Sequence, residues 1–258
     1  MQATNFSLEQ YCVRIGYADY LKADETTLRL FMRHQLLSVP FENLDVQAGK
    51  VVSMVPEDIV EKILNRNRGG YSYEVNGIFA MALNALGIEY QFVAARPMVY
   101  PAMLPKTHMA IIANVGGKRW LCDLGFDNYG IREPIELSQL DKEITQDHDC
   151  FMLSKLNSGE YLLRARVDGA WADQYAFDLT PWQWIDFAPV NYMNSTHPEA
   201  IFVQKLLVII QNISGRTILF GQNLKTIQGG KTAKIDLEKN QIAGVLKTYF
   251  DLPGYQVL

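Results

Sequence analysis

The spacing of apolar residues changes period at Gly87, and a fold of one secondary-structure class cannot satisfy both sides of that change. Upstream, Leu28, Leu30 and Phe31 with His34 to Leu37, and then Ile59, Val60, Ile63 and Leu64, recur at helical spacing. Pro56, Glu57 and Asp58 after Ser53 read as the acid-rich first turn of the second of these helices, and residues 65–70 as its end. A third helix starts near Ser72, with Val75, Phe79, Ala82, Leu83 and Leu86 on one face and Gly87 closing it. Downstream the runs shorten and become β-rich at 90–94, 109–115 and 118–123, the last two joined by the hairpin pair Gly116-Gly117. Further runs near 151–153, 161–166 and 171–179 predict an antiparallel barrel or sandwich. The last third predicts strands at 205–212 and 217–220, joined through Ser214-Gly215, and a helix over 241–250.

Composition narrows the function. With 48% hydrophobic and 20% charged residues, the 258-residue chain can bury a substantial core. A formal charge of -4 argues against a nucleic-acid partner. Apolar runs such as 206–210 are strand length, so no membrane span is expected. The segment Met1-Gln2-Ala3-Thr4-Asn5 lacks the features of a signal peptide, and a cytoplasmic location is expected. Cys12, Cys122 and Cys150 are an odd, sparse set that reads as reduced thiols, and no Cys or His spacing suggests a metal site.

The chemistry concentrates at Arg68-Gly69-Gly70-Tyr71-Ser72-Tyr73-Glu74-Val75-Asn76. Ser72 sits at a helix N-terminus, where unpaired N–H groups and the helix dipole favour negative charge. A serine there is commonly an N-cap. Residues 70–74 also begin like the hydrolase elbow Gly-x-Ser-x-Gly, although Glu74 replaces the last Gly and a helix precedes the motif.

The same nine residues resemble the active-site motif of the arylamine N-acetyltransferases, which carry Cys where this chain has Ser72. The resemblance extends through Tyr11 to Gly16, Thr27-Leu28, His34 and Val39-Pro40-Phe41-Glu42-Asn43-Leu44. It continues at Thr107-His108-Met109, Cys122-Asp123-Leu124-Gly125-Phe126, Asp186 to Tyr192 and Ser195 to Phe202. It implies an α+β multidomain fold: a helical bundle over 1–86, an antiparallel β-barrel over 87–190 and an α/β lid over 191–258. It also implies a cysteine-protease-like triad of the residue at position 72, His108 as base and Asp123 as its orienter. Acetyl-coenzyme A would be the acyl donor, with no tightly bound cofactor, and aromatic amines or hydrazines the acceptors. A serine hydroxyl stays protonated where a helix-terminal thiol beside His ionises, so Ser72 is expected to cripple acyl transfer. An engineered Cys-to-Ser replacement is the preferred origin of Ser72 and a natural variant the other. A coenzyme A or aromatic-ligand binder without turnover is the alternative function, and a serine hydrolase the less favoured one.

By the same resemblance Phe126 and Phe202 face the aromatic acceptor, and Thr107, from its place beside His108, is a candidate contact for the acetyl donor. Asp127 stands where the family usually has Gly. His34, His148 and His197 are expected to be structural or solvated, Cys122 a buried thiol, and Arg68 with Glu74 a local ion pair. Gly229-Gly230-Lys231-Thr232 lacks the first Gly of a phosphate loop and reads as a turn.

Overall fold

The computed structural model describes residues 1–100, 103–126 and 129–252. Five helices lie in the N-terminal third: α1 (Leu8–Ile15), α2 (Glu25–Ser38), α3 (Leu44–Gln47), α4 (Pro56–Val60) and α5 (Ser72–Ala85). Ser7 and Asp24 cap α1 and α2 by accepting from Gln10 and Thr27 N–H groups, and Gly16 ends α1 at φ 67°. Every residue of α5 from Ser72 to Leu83 is buried, which makes it the axis of the molecule rather than an amphipathic surface helix. The helix read over 56–65 does not continue as one form: a π turn (Glu61–Asn65) follows α4.

After Gly87 eight antiparallel strands form one sheet: β2 (Glu89–Pro97), β3 (His108–Val115), β4 (Lys118–Cys122), β5 (Ile135–Glu136), β6 (Ile144–Gln146), β7 (Asp149–Lys155), β8 (Tyr161–Val167) and β9 (Ala170–Phe177). Their order is β5-β4-β3-β2-β9-β8-β7-β6, so β5 and β6 are opposite edges and the described strands do not close into the expected barrel. The edge strands offer little ladder for closure, β5 having two residues and β6 three, and at the middle seam β2 pairs with β9 only through Ala95 to Pro97.

A 3-10 turn (Trp184–Phe187) leads into α6 (Ala188–Thr196) and the short α7 (Ile201–Gln204). The second sheet comprises β1 (Phe41–Glu42), β10 (Leu207–Asn212), β11 (Gly215–Phe220), β12 (Asn223–Gln228) and β13 (Lys231–Asp236), with α8 (Ile242–Phe250) packed on it. In β10 the period of two divides burial: Leu207 and Ile209 join the main core, whereas Val208 joins a smaller one with Leu219, Leu246 and Phe250. Gly229-Gly230 is a hairpin turn, as read. The strands it joins were not legible, because every residue of β13 is exposed and carries no hydrophobic alternation. Nor was β1, whose two residues belong to the N-terminal third and pair with β10.

Candidate active site

Residue 72 is positioned by the start of α5. Tyr71 is the N-cap, and its N–H donates to Glu74 Oε2 at 3.0 Å. Ser72 is therefore the first helical residue and not the cap, which removes the simplest structural explanation for a serine there. Tyr71 and Tyr73 anchor the turn on either side. The Tyr71 hydroxyl bonds Asn191 Oδ1 on α6, and the Tyr73 hydroxyl donates to the Thr107 carbonyl at 2.7 Å.

His108 opens β3 and Asp123 follows the last residue of β4, so the Gly116-Gly117 hairpin brings them together. His108 Nε2 lies 2.7 Å from Asp123 Oδ2. That bond leaves Nδ1 as the ring nitrogen not committed to Asp123. The other carboxylate oxygen, Oδ1, accepts from Gly125 N–H at 2.9 Å and from Asn76 Nδ2 at 3.4 Å. Asn76 also donates to the Met109 carbonyl at 2.9 Å and accepts from Leu124 N–H at 3.0 Å. One helical turn beyond Ser72, it ties α5 to both hairpin strands. Sequence reading assigned it no role, and its i+4 spacing from Ser72 was the available signal.

Two ring contacts pack the imidazole: Phe126 at 5.0 Å and Tyr175 at 5.2 Å between centroids. Burial and the neighbouring Asp123 carboxylate push the Tyr175 phenol well up. Burial and Asp123 push Cys122 up as well, so it is an inert core thiol, as expected.

A cavity of about 560 Å³ opens over these groups, and Ser72, Thr107, His108, Phe126 and Phe202 all line it. Its walls are mainly apolar, with His108, His197 and Glu199 among the few charged or titratable groups on them, which suits an apolar ligand group. Phe202, on α7, packs against Phe41 and Tyr71. Its carbonyl accepts from Asn43 Nδ2 and Gln47 Nε2, each at 2.7 Å, so two amides of the N-terminal third hold that wall.

His197, read as structural or solvated, is exposed, and it also stands on the cavity wall together with Glu199. His34 is structural, its Nδ1 lying 3.2 Å from the Ile15 carbonyl, and His148 is exposed. Arg68 and Glu74 are not paired with each other: Arg68 bonds Glu42 at 2.7 Å and Glu74 bonds Lys62 at 2.7 Å. Asp127 lies outside the described residues. Among the described residues no cluster of His, Cys, Asp and Glu has the arrangement of a metal site. No helix among them is long and apolar enough to cross a membrane.

A carboxylate-backed imidazole facing the same cavity as the first residue of a buried helix can hold and move a proton beside a nucleophile. A family model described as N-acetyltransferase matches residues 24–254. The arylamine N-acetyltransferase of Mycolicibacterium smegmatis is 33% identical over 232 residues, covering 87% of this chain and 84% of that protein. The structure of arylamine N-acetyltransferase from M. tuberculosis aligns with a TM-score of 0.91 at 27% identity, covering 95% of this chain and 94% of that one. The Mycobacterium marinum enzyme in complex with CoA aligns with a TM-score of 0.89 at 27% identity, covering 95% and 93%. The chain belongs to the arylamine N-acetyltransferase family.

Proposed function

We propose that the protein is an acyltransferase of the ping-pong type, moving an acetyl group from acetyl-coenzyme A to the nitrogen of an arylamine or arylhydrazine through residue 72. The observation that carries this reading is the His108–Asp123 pair, bonded at 2.7 Å and facing the cavity that also exposes Ser72. In the first half-reaction the side chain at position 72 bonds to the acetyl carbon and the C–S bond to coenzyme A breaks. His108 passes a proton to the departing sulfur. In the second, the amine nitrogen bonds to the acetyl carbon, the bond to residue 72 breaks, and His108 manages the amine proton. Asp123 orients the imidazole and supports its cation. Phe126 and Phe202 would flank the acceptor ring, and Thr107 would contact the donor near the acetyl group. Coenzyme A is a substrate in this scheme, not a resident cofactor.

The same reading divides the chain into 1–86, carrying residue 72, 87–190, carrying His108 and Asp123, and 191–258, covering the cavity. A reducing, cytoplasmic setting suits the three unpaired thiols Cys12, Cys122 and Cys150. Ser72 favours a second reading of the same cavity, a protein that binds coenzyme A or an aromatic ligand without turnover. A hydroxyl beside imidazole begins the first step protonated, whereas a thiol in this position begins it ionised.

Ser72→Cys separates the two. The variant is expected to gain one acetyl group from acetyl-coenzyme A, seen by intact mass, and to acetylate simple arylamines with parallel-line initial-rate patterns. A folded variant that neither acylates nor turns over would leave the binding reading. Efficient self-acetylation of the Ser72 protein would overturn the claim that serine disables the site.

A further inference from the structure

Below the first turn of α5, on the side away from the hairpin that carries His108 and Asp123, lies a buried charge cluster that the acyl-transfer scheme leaves unused. Lys62 Nζ sits 2.6 Å from Asp45 Oδ2, 2.7 Å from Glu74 Oε1 and 3.6 Å from Glu42 Oε1, with 12% of its side chain exposed. Arg68 bonds Glu42 at 2.7 Å and approaches Asp45 at 3.5 Å. Of these two cations, only Lys62 lies within ion-pair distance of Glu74. Glu74 is fully committed: one carboxylate oxygen takes the Lys62 ammonium, and the other accepts the N–H of Tyr71, the cap residue next to Ser72. A Cβ on Gly70 would fall 2.8 Å from that second oxygen, so the backbone ahead of residue 72 closes directly over the carboxylate.

The π turn explains how Lys62 arrives there. Arg66 N–H bonds the Glu61 carbonyl, a five-residue closure, and Arg68 N–H bonds the Lys62 carbonyl at 3.1 Å. One residue more per turn re-aims the side chains around it, and such turns are frequent at functional sites. A regular helix would leave Lys62 at a different angle to α5.

We propose that Lys62 is a positioning residue for the chemistry at position 72: seated by the π turn, its ammonium holds the Glu74 carboxylate in the cap that sets the first turn of α5. A carboxylate buried with Glu42 and Asp45 nearby gives up its charge unless a cation compensates it. The groups facing it are Lys62 from the π turn, Glu42 from β1, Asp45 from α3, Arg68 from the loop before α5, and the Tyr71 N–H. Burial first and Glu42 next push Glu74 up to about 7, and Lys62 is the main influence opposing them. Without Lys62 the carboxyl protonates at higher pH, the charge-assisted bond to Tyr71 weakens, and residue 72 loses its fixed approach to His108.

This inference rests on position 72 being the reacting position, so the test reads a thiol there without acetyl-coenzyme A or amine. In a Ser72→Cys background, iodoacetamide alkylation of the introduced thiol is followed by peptide mass from pH 6 to 9, which separates it from Cys12, Cys122 and Cys150. Lys62→Met is expected to slow alkylation roughly tenfold near pH 7.5 and to move the rising limb of the profile to higher pH. Lys62→Arg should restore the rate to within about threefold, since it returns the cation. With Glu74→Gln already present, Lys62→Met should add less than about twofold, because its route is gone. If Lys62→Met does not fold, Lys62→Gln takes its place in every comparison. An unchanged rate and limb in the folded variant would overturn the proposal. So would an equally large effect of Lys62→Met in the Glu74→Gln background, which would mean direct action of the charge on the thiol. Acetyl transfer that survives in a variant without this Lys62 dependence would leave the proposed function standing and remove only this inference.

Discussion

Glu74 couples a cap to a titration. Buried wholly, its carboxyl rises from an ordinary 4.5 to about 7, because burial and Glu42 outweigh Lys62 and the Tyr71 N–H. The folded state therefore binds this proton more tightly than the unfolded chain. Its contribution to stability is fully present below about pH 4.5 and is lost as pH rises through 7. The gap between the two values corresponds to roughly 3 kcal/mol. Glu74→Gln should flatten that part of the profile: urea unfolding at pH 5 and pH 8.5 should differ by roughly 2–3 kcal/mol less than in the parent. Parallel profiles for the two proteins would contradict it. The charge that tightens the cap beside Ser72 thus works against stability, a conflict expected where a group is kept for positioning.

At the scale of elements, the site depends on how closely the loop after β4 approaches α5. Gly125 has an ordinary backbone conformation, so its reason is space: a Cβ there would lie 2.4 Å from Ser72 Cα and 2.7 Å from Ser72 Cβ. Its N–H also fixes Asp123 Oδ1. Gly125→Ala must push the loop off the helix, at a cost of about 1–3 kcal/mol in stability. In a Ser72→Cys background it should also lower acetyl transfer by roughly a hundredfold, since a displacement of an ångström at the reacting groups has that effect. Thermal melts and initial rates together check this. A variant that loses stability and keeps its rate would show that the loop moves without carrying Asp123 along.

Over the whole molecule, Arg132 joins the two sheets. Its guanidinium, 3% exposed, meets Asp147 at 2.7 Å and Asp149 at 3.4 Å near β6 and β7, and Gln211 at 2.9 Å on β10. It also reaches the carbonyls of Asn212 and Gly215, while Arg216 of β11 returns to Asp149 and Arg33 of α2 to Asp147. Removing the buried central cation leaves Asp149 and the more exposed Asp147 with one arginine each and empties a polar site between the sheets. Arg132→Met is expected to destabilise the protein by about 3–5 kcal/mol, read as a lower urea midpoint. A loss below about 1 kcal/mol would show that Arg33 and Arg216 suffice to compensate Asp147 and Asp149.

The sequence by itself determined what depends on local order. The switch from helical to alternating spacing at Gly87, the Gly116-Gly117 hairpin and the helix beginning at Ser72 were readable from the residues, because each signal is complete within a few residues, whereas Ser72, His108 and Asp123 were singled out as a set by the family resemblance. The family resemblance was legible for the same reason: it rests on short segments in a fixed order. Only the tertiary structure decided which of those residues meet. Asn76 acquires its role by facing Met109, Asp123 and Leu124 across sequence gaps of 33 to 48 residues. Arg68 and Glu74 look like neighbours in the chain and bond different partners, Glu42 and Lys62, because the π turn and β1 intervene in space. The open sheet in place of a barrel and the exposed strand β13 were likewise illegible: a single chain segment records neither where pairing stops nor that a polar strand will find an edge.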